Sequence, residues 1–135
     1  LEVSHLLSRL ERHDGPVILT TNLRRNIDNA FTRRFQFVID FTAPDAVLRA
    51  ELWQRLIPPA APCEEIGFEQ LGEALSFHGG AIHNVAIRAA VLAATETRPI
   101  SYRHIARAAW RELGKDARKV RPAELGFLAD HLEDA

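Results

Sequence analysis

The sequence predicts an α/β segment with two strands, followed by an all-α bundle. The first apolar run, VILTTN at 17–22, is β-branched on balance and follows a Gly-Pro break, which is typical of a buried parallel strand. The second run, FQFVIDF at 35–41, has one fully apolar face, as a strand on a core does. After Pro44 the apolar residues recur every three or four positions, and this spacing predicts helices.

Helices are predicted on both sides of the strands. Before them, Val3, Leu6, Leu7 and Leu10 predict a helix over 2–11, and between them Asn26 can cap a short helix to about Arg34. After them come helices that begin near Pro44 and end at Pro58, at 68–76, at about 80–96, from Ser101 to Gly114, and at 122–132. The 80–96 helix is apolar on two faces, one of them Ile87, Val91 and Ala94, so we expect it at the centre of the bundle. Two strands alone are not a stable sheet, so the strands require partners.

Composition excludes several classes of protein. The 135 residues suit one domain, or a small domain plus part of another, and the single Cys63 excludes an internal disulfide. No apolar run is long enough for a membrane helix, and a net charge of −1 provides no global attraction to nucleic acid. The six histidines lack metal-site spacing, so we expect no metal. A reducing, cytoplasmic compartment is expected.

Four segments, in order, together resemble an AAA+ ATPase. They are VILTTN, the adjoining NIDNAFTRR and FQFVIDF, and HGGAIHNVAIRAA at 78–90, which look like the second half of its nucleotide-binding core and its helical lid, across about Leu1 to Leu113. The resemblance implies the end of a P-loop NTPase parallel sheet and then a small helical bundle. It divides the chain into 1–42 as the end of the core, 43–115 as the lid and 116–135 as a tail. The lid pattern is similar to the AAA subfamily proper, of the bacterial remodelling type.

The resemblance also implies site residues. Asn22 matches sensor 1, whose amide orients the attacking water, and Arg34, with Arg33 second, matches the arginine finger that neutralises phosphate charge in the neighbouring subunit. Gly79, Gly80 and Ala81 match the lid turn beside adenine, where small residues let a flat ring approach the backbone. The competing interpretations are a strand-end Asn that caps a turn, a solvated basic face and an ordinary turn between helices.

The phosphate-binding part of such a site is missing. The sequence contains no G-x-x-x-x-G-K-[ST], and no apolar strand ends in Asp-Glu. In the family both precede this segment, so Leu1 is expected shortly after the second of them. ATP and Mg²⁺ are therefore expected in a full-length parent, an ATPase that forms a homo-oligomeric ring, commonly of six, and acts on an unknown protein substrate. We expect this chain alone neither to bind ATP tightly nor to hydrolyse it.

Two other functions fit parts of the sequence. One is a non-enzymatic helical module that binds protein or nucleic acid through its arginine-rich segment, Arg24, Arg25, Arg33 and Arg34. Its Ala-rich helix offers little to read a DNA groove, so nucleic acid is an unfavoured partner. The other is a DNA-directed AAA+ protein similar to a clamp loader, against which the absence of a lid arginine at Ala81 argues.

Overall fold

The chain divides into two compact units, and each is described by itself. The computed structural model describes residues 8–9, 12–22, 33, 35–116 and 119–132. The first unit is Leu1–Phe41 and the second is Thr42–Ala135. The predicted helix at 2–11 lies largely outside the described residues, as does nearly all of the predicted helix at 26–34.

The predicted strands of the first unit are absent, so the predicted α/β fold class is wrong for the described part of the chain. Residues 17–22 and 35–41 form no strand, and no ladder pairs them. Their apolar side chains are open to solvent, with Ile18 89% and Phe41 95% exposed. A strand is stable only when its N–H and C=O groups find partners on a neighbouring strand. The described residues supply none, and an apolar pattern does not replace them.

The second unit is helical. Its α-helices are α1, Ala46–Leu56; α2, Phe68–Ala74; α3, Gly79–Thr95; and α4, Tyr102–Leu113. Two 3₁₀ segments follow: η1, Gly114–Asp116, and η2, Pro122–His131. Gly126, at φ +57°, kinks η2 in the left-handed region that glycine adopts without steric cost. The predicted tail helix is therefore two short turns.

Polar caps explain where α1, α3 and α4 begin. Asp45 precedes α1, and its Oδ1 accepts a hydrogen bond from the Leu48 N–H at 2.8 Å. Ser101 is the N-cap of α4, as the sequence predicts, and Gly114 is its C-cap. α3 begins one residue earlier than predicted, because the His78 imidazole caps it.

The core lies where the helices of the second unit meet. α1 packs against α2 and α3, α3 packs against α4, and α4 packs against η2. The largest fully buried side chains come from each of these elements or their ends, among them Trp53, Leu71, Ile82, Ile105 and Leu128. An isolated parallel bridge between Cys63 and Ile100 joins the loop after α1 to the residues before α4.

The central position predicted for α3 holds for one face only. Ile82, Val85, Ala86 and Ala89 are buried, whereas Ile87 is 43% and Val91 57% exposed. Apolar spacing marks a face that favours burial, but the second face remains uncovered by the described elements. Periodicity alone does not decide which apolar face finds a neighbour.

Candidate functional site

The start of α3 is the region that the lid motif selects. His78 lies in extended backbone at the N-cap, and its Nδ1 accepts a hydrogen bond from the Ala81 N–H at 3.2 Å. The Ile82 N–H bonds to the His78 carbonyl oxygen at 3.1 Å. No hydrogen bond to the Gly79 or Gly80 N–H occurs among the described residues. These are donors that a helix leaves unsatisfied in its first turn, and they point away from the helix.

The three predicted lid residues differ in exposure. Gly80 is exposed and Gly79 is half-buried, so both present backbone to solvent. A Cβ at Gly80 would meet only the His78 ring, at 3.4 Å, and one at Gly79 would meet only Leu52 Cδ1, at 3.9 Å. Ala81 is 4% exposed and belongs to the core. Gly79 and Gly80 therefore form an accessible surface, and Ala81 supports it from inside.

This surface presents hydrogen-bond donors beside an apolar side chain. Two free N–H donors match the ring nitrogens of a purine, which accept hydrogen bonds, and the Leu52 side chain offers an apolar contact. The positive end of the helix dipole also favours acceptors and anions at this place. In the part of the chain described, no group of three acidic, histidine or cysteine residues able to hold a metal ion occurs.

The structure describes two of the three predicted catalytic residues. Asn22 lies in an exposed bend rather than at the end of a strand, and Arg33 lies in an exposed turn. Arg34 falls outside the described residues. These three belong to the first unit, whereas Gly79, Gly80 and Ala81 belong to the second, so each group is described in its own unit. The roles of Asn22, Arg33 and Arg34 stay predictions.

A polar cluster among the described residues of the second unit is one that the sequence did not single out. Glu96, at the C-cap of α3, accepts hydrogen bonds from three side chains of α4: Arg107 Nη1 at 2.8 Å, His104 Nε2 at 3.2 Å, and Arg103 Nη2. Partial burial raises the pKa of Glu96, but the hydrogen bonds from His104, Arg103 and Arg107 outweigh it, so the net pKa lies below the ordinary value.

Ser101, His104 and Glu96 have the composition of a hydrolytic triad but the geometry of a helix cap. The Ser101 backbone N–H donates to His104 Nδ1 at 3.0 Å, and the Ser101 Oγ lies 2.9 Å from the same nitrogen. The N–H can only donate, so Nδ1 is an acceptor, and the protonated Nε2 donates a hydrogen bond to the Glu96 carboxylate. His104 is 1% exposed, which leaves no approach for a substrate. The Ser101-x-x-His104 spacing was the available sequence signal, since it parallels a capping box.

Two further titratable groups have ordinary structural explanations. Burial first, and the Glu64 carboxylate second, raise the pKa of the Cys63 thiol, which opposes thiolate chemistry. Burial raises the pKa of Glu112, but Lys115, Asn84 and Arg88 lower it by more, and the net pKa is depressed. Among the helices that the structure describes, none is both long and apolar enough to cross a membrane.

The comparisons with known proteins add no family. No protein-family model matches the chain, and neither a curated protein nor a solved structure matches it. The resemblance to AAA+ ATPases therefore rests on the sequence motifs, and the helical second unit is the part of the structure on which a function can be argued.

Proposed function

We propose that this chain is part of an AAA+ protein-remodelling ATPase, in which the second unit is the helical lid on the adenine side of the nucleotide. The observation that carries the proposal is the start of α3, where Gly79 and Gly80 expose backbone N–H groups beside Leu52. This surface coincides with the HGGAIHN motif that resembles an AAA+ lid. The proposal rests on the helical unit and requires no sheet in the described residues.

Each residue group has a separate role in this proposal. The Gly79 and Gly80 N–H groups hold adenine, and the buried Ala81 and the His78 cap keep the first turn of α3 in place. Arg34, with Arg33 beside it, neutralises charge on phosphate bound by the next subunit of a ring. Asn22 orients water. A bound nucleotide supplies the phosphoryl bond whose hydrolysis drives remodelling of a protein substrate, and a full-length parent supplies the phosphate-binding loop.

A nuclear magnetic resonance titration of the ¹⁵N-labelled chain with ADP tests the adenine contact. Because no phosphate loop is present in the sequence, we expect weak binding, with a dissociation constant on the order of 1 mM. The amide shifts should centre on Gly79 and Gly80. Gly80→Leu places a side chain over this surface and should weaken binding about tenfold. The matched control, His83→Leu at an exposed position of the same helix, should leave the titration unchanged.

Further measurements distinguish adenine recognition from anion binding, nucleic-acid binding and ATP hydrolysis by the chain itself. Inorganic phosphate that shifts the same amides as strongly as ADP would show a general anion effect of the helix terminus and contradict the proposal. Duplex DNA binding that falls steeply with salt would instead favour a nucleic-acid module. ATP hydrolysis by the pure chain that is abolished by Asn22→Ala would contradict the proposal that this chain lacks a phosphate-binding site of its own.

A further inference from the structure

An apolar groove with an acidic rim runs between α1 and α2. Its floor includes Val47 and Ala50 from α1 and Phe68 from α2, and its rim carries Glu51, Glu69 and Glu73. Val47 is 71% exposed and Phe68 is half-buried, so the floor is open. No lysine or arginine is among the described residues that line the groove. The groove therefore combines exposed apolar surface with negative charge alone.

The rim carboxylates are not equivalent. Glu51 has a cation near it, Arg55 Nη2, at 3.9 Å. Glu69 and Glu73 are exposed, and in the described part of the chain neither makes an ion pair or a side-chain hydrogen bond. They are four residues apart on α2, so they lie on one face of the helix, with their Cβ atoms about 6 Å apart. Two carboxylates without cations thus stand side by side above an apolar floor.

The sequence contains a segment of matching chemistry. Residues 23–27 read LRRNI, in which two adjacent arginines lie between Leu23 and Ile27. Two guanidinium groups match two carboxylates, and the flanking apolar side chains match the floor of the groove. Arginine is the cation best suited to such a place, because its planar fork binds a carboxylate through two parallel hydrogen bonds and it is weakly hydrated.

We propose that the groove between α1 and α2 binds Arg24 and Arg25 of a second copy of this chain. The contact involves neither the start of α3 nor Arg33 and Arg34, so it goes beyond the nucleotide role proposed above and does not depend on it. Exposed ion pairs contribute little each, so the association of copies is weak and falls as salt screens the charges. Burial of Val47 and Phe68 supplies the part that salt does not remove.

Sedimentation velocity on the full 135-residue chain tests the contact through a charge exchange. The wild-type chain should self-associate with increasing concentration at low ionic strength. Glu69→Arg with Glu73→Arg should weaken the association about tenfold or more, and so should Arg24→Glu with Arg25→Glu. The chain that carries all four substitutions should regain association, because the opposite charges face each other again.

The controls separate a specific contact from a general charge effect or a folding defect. Glu64→Arg with Glu65→Arg makes the same charge change at two exposed positions outside the groove and should leave association unchanged. Circular dichroism should show native helix content in each variant, and Glu69→Gln with Glu73→Gln should weaken association without adding positive charge. A wild-type chain that stays monomeric, a quadruple variant that does not recover, or a control pair that weakens association equally would each overturn the proposal. Titration with ADP is measured separately and reports only on the start of α3.

Discussion

The Glu96 carboxylate joins the end of α3 to α4 through three side chains of α4. It accepts hydrogen bonds from Arg103, His104 and Arg107. The Ser101 N–H donates to the other ring nitrogen of His104. The buried His104 ring keeps both of its nitrogens hydrogen-bonded, which removes the cost of burying a polar group without partners. We therefore interpret this cluster as a structural link between α3 and α4 and not as a reactive centre.

The lowered pKa of Glu96 makes the stability of the second unit sensitive to acid. A carboxyl whose pKa is lower in the folded state contributes stability above its unfolded pKa, and this contribution disappears as the pH falls through the folded pKa. Glu96→Gln should reduce the free energy of unfolding near neutral pH and flatten its decline as the pH falls below about 5. Urea unfolding at several pH values measures both effects.

Glu65→Gln is the matched control for that experiment, because Glu65 is exposed and takes no part in the cluster. It should leave the pH dependence of unfolding as in the wild type. An equal flattening in both variants would show that Glu96 has no special role. Glu112, whose pKa is also lowered, remains in both variants and accounts for the acid dependence that persists.

At the scale of elements, the contact between α1 and α2 depends on a glycine inside a helix. A Cβ at Gly72 would lie 2.4 Å from the Ala46 carbonyl oxygen and 2.9 Å from the Ala50 nitrogen. Both are backbone atoms, so the helices would have to move apart. Arg49 of α1 also donates from Nε to the Gly72 carbonyl oxygen at 2.7 Å, which fixes the two helices at this point.

Gly72→Ala should therefore destabilise the protein by about 1–3 kcal/mol, the usual cost of overpacking, although alanine is the better helix former by about 1 kcal/mol. The midpoint of urea unfolding measures this. Gly114→Ala is the control, because a Cβ there would meet only Val120 Cγ2, at 4.0 Å, and the change should stay within about 0.5 kcal/mol. Equal midpoints for the two variants would show that α1 and α2 are not in close contact at Gly72.

At the scale of the whole molecule, the buried apolar residues among those described all lie between Trp53 and Leu128. The second unit therefore contains its own hydrophobic core, as a domain able to fold alone requires. We expect a polypeptide of residues 42–135 to unfold in a single cooperative transition, followed by far-ultraviolet circular dichroism during heating. A gradual, non-cooperative loss of helix would contradict this. The boundaries of the predicted lid and tail stay predictions.

The sequence by itself determined the helices of the second unit closely, because helix formation depends on neighbours a few residues away. Apolar spacing located all four α-helices, and Ser101 and Gly114 marked the two ends of α4. The His78 cap was missed, since histidine is not a usual N-cap residue, and the kink at Gly126 was missed because periodicity does not report backbone dihedral angles.

Tertiary structure alone decided what depends on residues distant in the chain. Two apolar runs predicted strands, yet a strand exists only when another strand accepts its hydrogen bonds, and the described residues contain none. Packing between distant elements also decides which apolar face of α3 is buried and why Ala81 faces the core while Gly80 does not. It likewise brings Glu96 to Arg107, eleven positions away. Local hydrogen bonds are encoded in short stretches of sequence, whereas burial and pairing are set by the packing of elements against one another.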